Sequence, residues 1–210
     1  MKENDMRYLV GIDLGTSGVK TVLFDVNGTP VAAATEEYPL YQPQNGWAEQ
    51  DPADWWAAVQ NTMKAVLANS GVMASDIAGV GISGQMHGLV MLDAAGRVLR
   101  RAILWCDGRT ARECAKITET IGRERLIAIT ANPALPGFTA GKILWVRRHE
   151  PEVYKQCRHV LLPKDYIRYK LTGVYATDAS DASGMNLLDV TTRDWSAEVL
   201  AKLAIDPAWM

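Results

Sequence analysis

The chain has 210 residues, 48% of them apolar, enough to bury a sizeable core as one large domain or two small ones and too many for a disordered chain. Its 22 basic and 24 acidic side chains leave a net charge of −2, so no broad positive field invites nucleic acid or an anionic membrane, and an anionic ligand must be held locally. Cys106, Cys114 and Cys157 form no CxxC pair, and with only three histidines in the chain no zinc site is expected and a reduced, cytoplasmic setting is.

The opening MKENDMRYLVGID has no cleavable-leader pattern, and no apolar run approaches the roughly 18 residues that span a bilayer, so a soluble, unsecreted protein is expected. Tyr8 to Ile12 and Val19 to Phe24 are apolar and β-branched, which predicts two strands joined by a tight Gly-rich turn. Asn27-Gly28 signals a second hairpin into a strand near Val31 to Glu37, making a three-strand meander. In DPADWWAAVQNTMKAVLANSG, Asp51 can cap, Pro52 suits the first helical position, and Gly71 lies just past the end. Trp56, Val59, Met63, Val66 and Leu67 fall on one face, so this helix should cover the sheet.

A fourth strand, IAGVGIS, ends at the loop GQMHG. Leu89 to Leu92, the turn DAAGR and Val98 to Leu104 predict a hairpin, followed by helices over Thr110 to Ile121, Glu124 to Ala128, Thr139 to His149 and Lys164 to Leu171. HVLLP adds one short strand before Pro163. Strands first, then helices interleaved with strands, make an α/β domain with a mixed sheet and flanking helices.

In GIDLGTSGVK a turn of glycines and small hydroxyls can cradle a phosphate, with Gly15, Thr16 and Ser17 as donors and Lys20 as a nearby positive charge. Asp13, at the strand end beside that cradle, is placed to hold Mg²⁺ through water, because Mg²⁺ takes one or two carboxylates plus phosphate oxygens. An ordinary hairpin with a solvated Asp and Lys is the structural alternative. Gly79-Val80-Gly81-Ile82-Ser83-Gly84 formally matches GxGxxG, but it alternates as a strand and opens no helix, so it is not a dinucleotide site and an oxidoreductase is disfavoured. A Walker-type loop is absent.

Gln85 and His87, at the end of a strand between glycines, can hydrogen-bond a polyhydroxylated ligand while Met86 packs on its carbon face; an exposed or structurally bonded histidine is the alternative. Trp105 and Asp107 can supply an aromatic wall and a hydroxyl acceptor; the alternatives are core packing for Trp105 and, for Asp107, an ion pair with Arg109 or a helix cap before Thr110. TDASDASG is rich in caps and turn formers and starts a helix by default, with ligand contacts as a second possibility.

Together GIDLGTSGVK, WAEQDPADWW, GISGQMHG, AILWCDGR, PGFTAGKILWV, LLPKDY and TDASDASG followed by LDV and RDWS resemble, in order and spacing from Tyr8 onward, the FGGY carbohydrate kinases, and within them the xylulokinase branch. The resemblance implies an actin-like ATPase, ribonuclease-H-like domain, the first of two, with ATP and sugar held between them. It implies that Asp13, Gly15, Thr16, Ser17 and Lys20 face the phosphates and Mg²⁺, with Asp13 in a catalytic role. Met86 and His87 correspond to a ketose-binding pair, where glycerol kinases carry Arg-Glu, and Trp105, Asp107 and Arg109 match a Trp-x-Asp-x-Arg segment in which Cys106 departs from the more usual Asn. The implied reaction is phosphorylation of D-xylulose to D-xylulose 5-phosphate.

In such kinases the catalytic base, an Asp in a Gly-Asp-Asn segment, and the adenine-binding domain lie beyond the position of Met210. Residues 1–210 are therefore expected to form an N-terminal domain incomplete at its C-terminal end and inactive alone. A small-molecule sugar is the expected partner, with no nucleic acid, no membrane and a possible homodimer. The rival class is a nucleotide-responsive binding or assembly protein on an actin-like fold, which has no reason to carry Met86 and His87.

Overall fold

The computed structural model describes residues 8–210; the leader reading above falls partly on residues 1–7, outside the described residues. The chain forms two compact units, one built from the segments ending at Pro39 and spanning Ala53–Gln85, the other from Leu40–Pro52 and Met86–Met210.

In the first unit the expected meander forms from β1 (Tyr8–Leu14), β2 (Gly18–Asp25) and β3 (Pro30–Glu37), each antiparallel to the next. The β2–β3 turn closes as Asn27-Gly28 predicts: Gly28 has φ +84° and the Asp25 carboxylate accepts from the amides of Asn27 at 2.9 Å and Thr29 at 2.8 Å. A two-residue strand, β4 (Glu49–Gln50), belongs to the second unit and precedes α1 (Pro52–Ser70). Gly71, at φ +69°, ends α1 by donating to the Leu67 carbonyl. The helix carries the chain across to β5 (Ile77–Gly84), which pairs parallel with β1 and gives the sheet order β3-β2-β1-β5.

Alternation along the strands sends Val10, Ile12 and Leu14 of β1 and Val19, Thr21 and Leu23 of β2 into the core. The buried stripe of α1 is Trp55, Ala58, Val59, Thr62 and Val66, one position displaced from the expected Trp56, Met63 and Leu67, which stay half-buried. Small residues let the helix approach closely, and the Thr62 and Thr21 hydroxyls meet at 2.8 Å in the interior. Gly79 and Gly81 lie within β5 with no helix opening after it, in keeping with rejection of a dinucleotide fingerprint.

The second unit begins its main run with β6 (Val90–Leu92) and β7 (Ala102–Ile103), then α2 (Ala111–Ile121), α3 (Arg123–Thr130), α4 (Thr139–His149), α5 (Pro151–Gln156), β8 (His159–Leu161), α6 (Pro163–Thr172) and α7 (Ala179–Ala182). It closes with β9 (Leu188–Asp189), β10 (Asp194–Trp195) and α8 (Ala197–Leu203). The 89–104 hairpin exists, with Leu89 and Ile103 exchanging main-chain bonds and Leu99 donating to Met91, but its strands are shorter than expected. β6 pairs instead with β8, and β7 with β4.

The break between α4 and α5 follows from Pro151, which bars its predecessor Glu150 from helical backbone (φ −131°, ψ 59°) and restarts a helix at its own first position. α8, not foreseen, is capped by Ser196, whose hydroxyl accepts from Val199 at 3.3 Å. The core gathers around α4, whose Thr139–Val146 is buried on every side, with Leu89, Ile103, Ile117, Leu126, Leu162 and Leu187.

Candidate functional site

Pairing register places the candidate phosphate turn. Asp13, near the end of β1, faces Lys20 on β2 and Ser83 on β5, and all three point to the open face because Ile12 and Leu14 occupy the buried alternation. They line a shallow cleft of about 410 Å³ with Gly11, Val22 and Phe24. The turn between β1 and β2 is tight: the Gly15 amide donates to the Gly18 carbonyl at 3.0 Å, and a Cβ on Gly18 would stand 2.6 Å from the Glu36 oxygen. The Tyr38 hydroxyl donates to the Gly15 carbonyl, and burial, helped by the charge of Asp13, raises the phenol so that it remains a donor. Gly15 therefore shapes the turn and spends its amide within it, which corrects the expectation that its N–H faces an anion. Thr16 and Ser17 form the tip, with Ser17 exposed.

Gln85 closes the first unit. Its amide donates to Leu14 at 2.8 Å and the residue is 5% exposed, so it sits inside the fold and not at a ligand-facing mouth, a correction to the expected hydrogen bond with a polyol.

The second unit carries the loop that follows. Met86 is exposed, and His87 stands at φ +60°, a left-handed backbone uncommon for a side chain of its size. The His87 carbonyl accepts from Lys142 Nζ at 2.7 Å and from Thr139 Oγ1 at 3.1 Å, and Lys142 also donates to Gly137 at 2.6 Å. The His87 ring meets Phe138 edge-on, with centroids 4.8 Å apart, and abuts Gly184, where a Cβ would come within 2.0 Å of it. Its Nδ1 is buried without a hydrogen-bond partner. Burial first, then the Lys142 charge, lowers the His87 pKa against the opposing pull of Asp181, so the ring is neutral with one nitrogen able to accept.

Gly184 reaches this ring because the 178–184 segment is pinned. Asp178 caps α7 by accepting from Asp181 N at 3.0 Å, and Lys164 holds Asp165 at 3.0 Å, Asp181 at 3.0 Å and Asp178. The motifs LLPKDY and TDASDASG are thus joined by one ammonium.

Trp105 is 42% exposed and so is not packed in the core. The Asp107 carboxylate is 0% exposed, pairs with Arg109 at 2.7 Å and accepts the Ala48 amide at 2.6 Å. Arg109 lies 3.7 Å from the Trp47 ring centre and 4.8 Å from that of Trp145, and also pairs with Glu49 at 2.8 Å. The structure assigns Asp107 to bracing the segment that presents Trp105, which corrects its reading as a ligand acceptor. Lys142, Thr139, Phe138 and Gly184 were not singled out from the sequence; the available signal was a lysine inside the apolar run GKILWV.

The family model for the N-terminal domain of the FGGY family of carbohydrate kinases matches residues 8–210. The chain belongs to that family. The FGGY domain is 51% identical over 191 residues to the xylulose kinase of Escherichia coli strain K12, covering 91% of this chain and 39% of the relative. It superposes on a "xyloylose kinase" from Brucella ovis with TM-score 0.92 at 47% identity, covering 97% of this chain and 42% of that one. A gluconate kinase from Lactobacillus acidophilus follows at TM-score 0.88 and 32% identity, covering 95% of this chain and 40% of that one. The FGGY domain thus spans about two fifths of the length of these proteins. The α/β actin-like, ribonuclease-H-like fold stands, as a mixed sheet of an antiparallel meander with a parallel fourth strand. Among the described residues no helix is long and apolar enough to cross a membrane.

Proposed function

We propose that this chain is the N-terminal domain of an ATP-dependent kinase that phosphorylates D-xylulose. The supporting observation is the half-buried, neutral His87 ring, whose Nδ1 has no protein partner, beside the exposed Met86 in a chain half identical to a xylulose kinase. An imidazole whose polar capacity is not used up by the protein suits a polyhydroxylated ligand.

The phosphate side suits Mg²⁺ and ATP. One exposed carboxylate, Asp13, stands with Lys20 and Ser83, and among the described residues no cluster of three or more Asp, Glu, His or Cys competes for a cation. That donor set matches an ion that keeps most of its waters and phosphate oxygens. When bound, Mg²⁺ and ATP supply the phosphoryl group and offset its charge. In this reading Asp13 would hold the metal, Thr16 and Ser17 hydroxyls would donate to the phosphates, and Lys20 would add positive charge. His87 and Met86 hold the sugar, with Trp105 as an apolar wall, so that orientation supplies much of the acceleration.

The test is coupled ADP release by a full-length kinase bearing this chain, with D-xylulose, gluconate and glycerol compared. D-Xylulose is expected to give the highest kcat/KM, and His87→Ala to raise the sugar KM several-fold to about a hundredfold with little change for ATP. Preference for gluconate or glycerol, or ATP turnover indifferent to sugar, would overturn the assignment.

A further inference from the structure

Lys142 is 0% exposed on a helix segment buried on every side, a position where an apolar side chain would cost less. Its ammonium is spent on two loop carbonyls, those of His87 at 2.7 Å and Gly137 at 2.6 Å. Thr139, one turn earlier on α4, donates to the same His87 oxygen. These are loops that meet at the His87 ring: Phe138, next to Gly137, packs on that ring, and a Cβ on Gly137 would come within 2.9 Å of the Trp105 carbonyl. The His87 main chain is left-handed, and the carbonyl so turned inward is the one that α4 grips.

We propose that Lys142, seconded by Thr139, is a positioning residue for substrate: gripping the His87 carbonyl fixes the left-handed turn that delivers the His87 ring and Met86 to the sugar. The inference rests on the reading that this loop contacts sugar. A loop ordered before binding loses less freedom when the ligand arrives, so the grip shows as sugar affinity. Burial lowers the lysine to about 7, yet the neutral amine keeps two N–H groups, enough for both carbonyls. The grip therefore holds in either protonation state.

The experiment measures both KM values, kcat and Tm for Lys142→Met, Thr139→Val and His87→Ala in the full-length kinase. Lys142→Met is expected to raise the xylulose KM tenfold or more, with the ATP KM within about twofold of the parent, and Thr139→Val to do the same about threefold. A folded Lys142→Met enzyme with an unchanged xylulose KM, or with both KM values drifting together, overturns the proposal. Should Lys142→Met fail to fold, Thr139→Val decides, and an unchanged xylulose KM there overturns it. His87→Ala separates the two layers of argument. An unchanged sugar KM in that variant brings down the sugar-loop reading itself, whereas a raised one beside an unaffected Lys142→Met enzyme removes only the grip.

Discussion

Gly184→Ala adds one methyl group where the structure leaves no room. The new Cβ would lie 2.0 Å from His87 Cε1 and 2.4 Å from Nδ1, so the ring must retreat by well over an ångström. Retreat is obstructed, because Phe138 packs edge-on against the ring and Lys142 holds the main chain behind it. Gly184 is not among the positive-φ glycines, so the cost is collision and not backbone strain. Overpacking of this kind costs about 1–3 kcal/mol. For a chain of this size each kcal/mol lowers Tm by about 2–4 °C, and the displaced ring should raise the sugar KM as well. Gly173→Ala is the control. At φ +72° with nothing within 4 Å, it bears a backbone cost alone and should leave the sugar KM untouched. Thermal unfolding and steady-state kinetics on both variants make the test. A Gly184→Ala enzyme with parental Tm and sugar KM would show that the His87 ring does not occupy this slot.

Asp13→Ala should collapse kcat by about 3–5 kcal/mol of transition-state stabilisation while leaving sugar affinity nearly unchanged; near-normal kcat at saturating Mg²⁺ refutes the role given to this carboxylate. Arg109→Ala strips the buried Asp107 carboxylate of its guanidinium, while Glu49 keeps Arg100, and should cost about 3–5 kcal/mol in urea unfolding, with a loss under 1 kcal/mol counting against the bracing network. Lys142, lowered to about 7 from its usual 10.5 chiefly by burial and opposed by Asp107, Cys106 and Cys114, gives a signed pH effect. Between about pH 7 and 10.5 the unfolded chain retains a proton that the folded one has lost. Stability from this group therefore rises with pH, by at most about 1.4 kcal/mol per pH unit. Cys157, whose thiol burial pushes up to about 12, slopes the opposite way, so the measurement is the parent minus Lys142→Met difference at pH 7, 8 and 9, and parallel slopes would defeat the argument.

Local chemistry made much of the first unit legible. Alternating β-branched strands, the Asn27-Gly28 turn and the Pro52 and Gly71 boundaries of α1 are short-range signals, and each stands where the sequence puts it. The position of Asp13 beside Lys20 also follows from a two-residue strand period and one tight turn. The strand partners in the second unit were not legible. β6 joins β8 and β7 joins β4 across long stretches of chain, and two- or three-residue strands carry too little periodicity to announce a partner.

The same limit governs the site. Met86, His87 and Trp105 stood out as residue types in suggestive places, but nothing local distinguishes Asp107 as a ligand acceptor from Asp107 as the partner of Arg109. That choice belongs to tertiary burial, which brings Trp47 and Trp145 onto the guanidinium and takes the carboxylate out of solvent. Gln85 went the same way: it is 5% exposed, with its amide on the Leu14 carbonyl. Lys142 and Gly184 lie 55 and 97 positions beyond His87 in the sequence, and only folding puts an ammonium on its carbonyl and an empty Cβ position against its ring. The sequence determined which groups are available and how each strand and turn begins; long-range packing decided which of them stay exposed and which hold the others still.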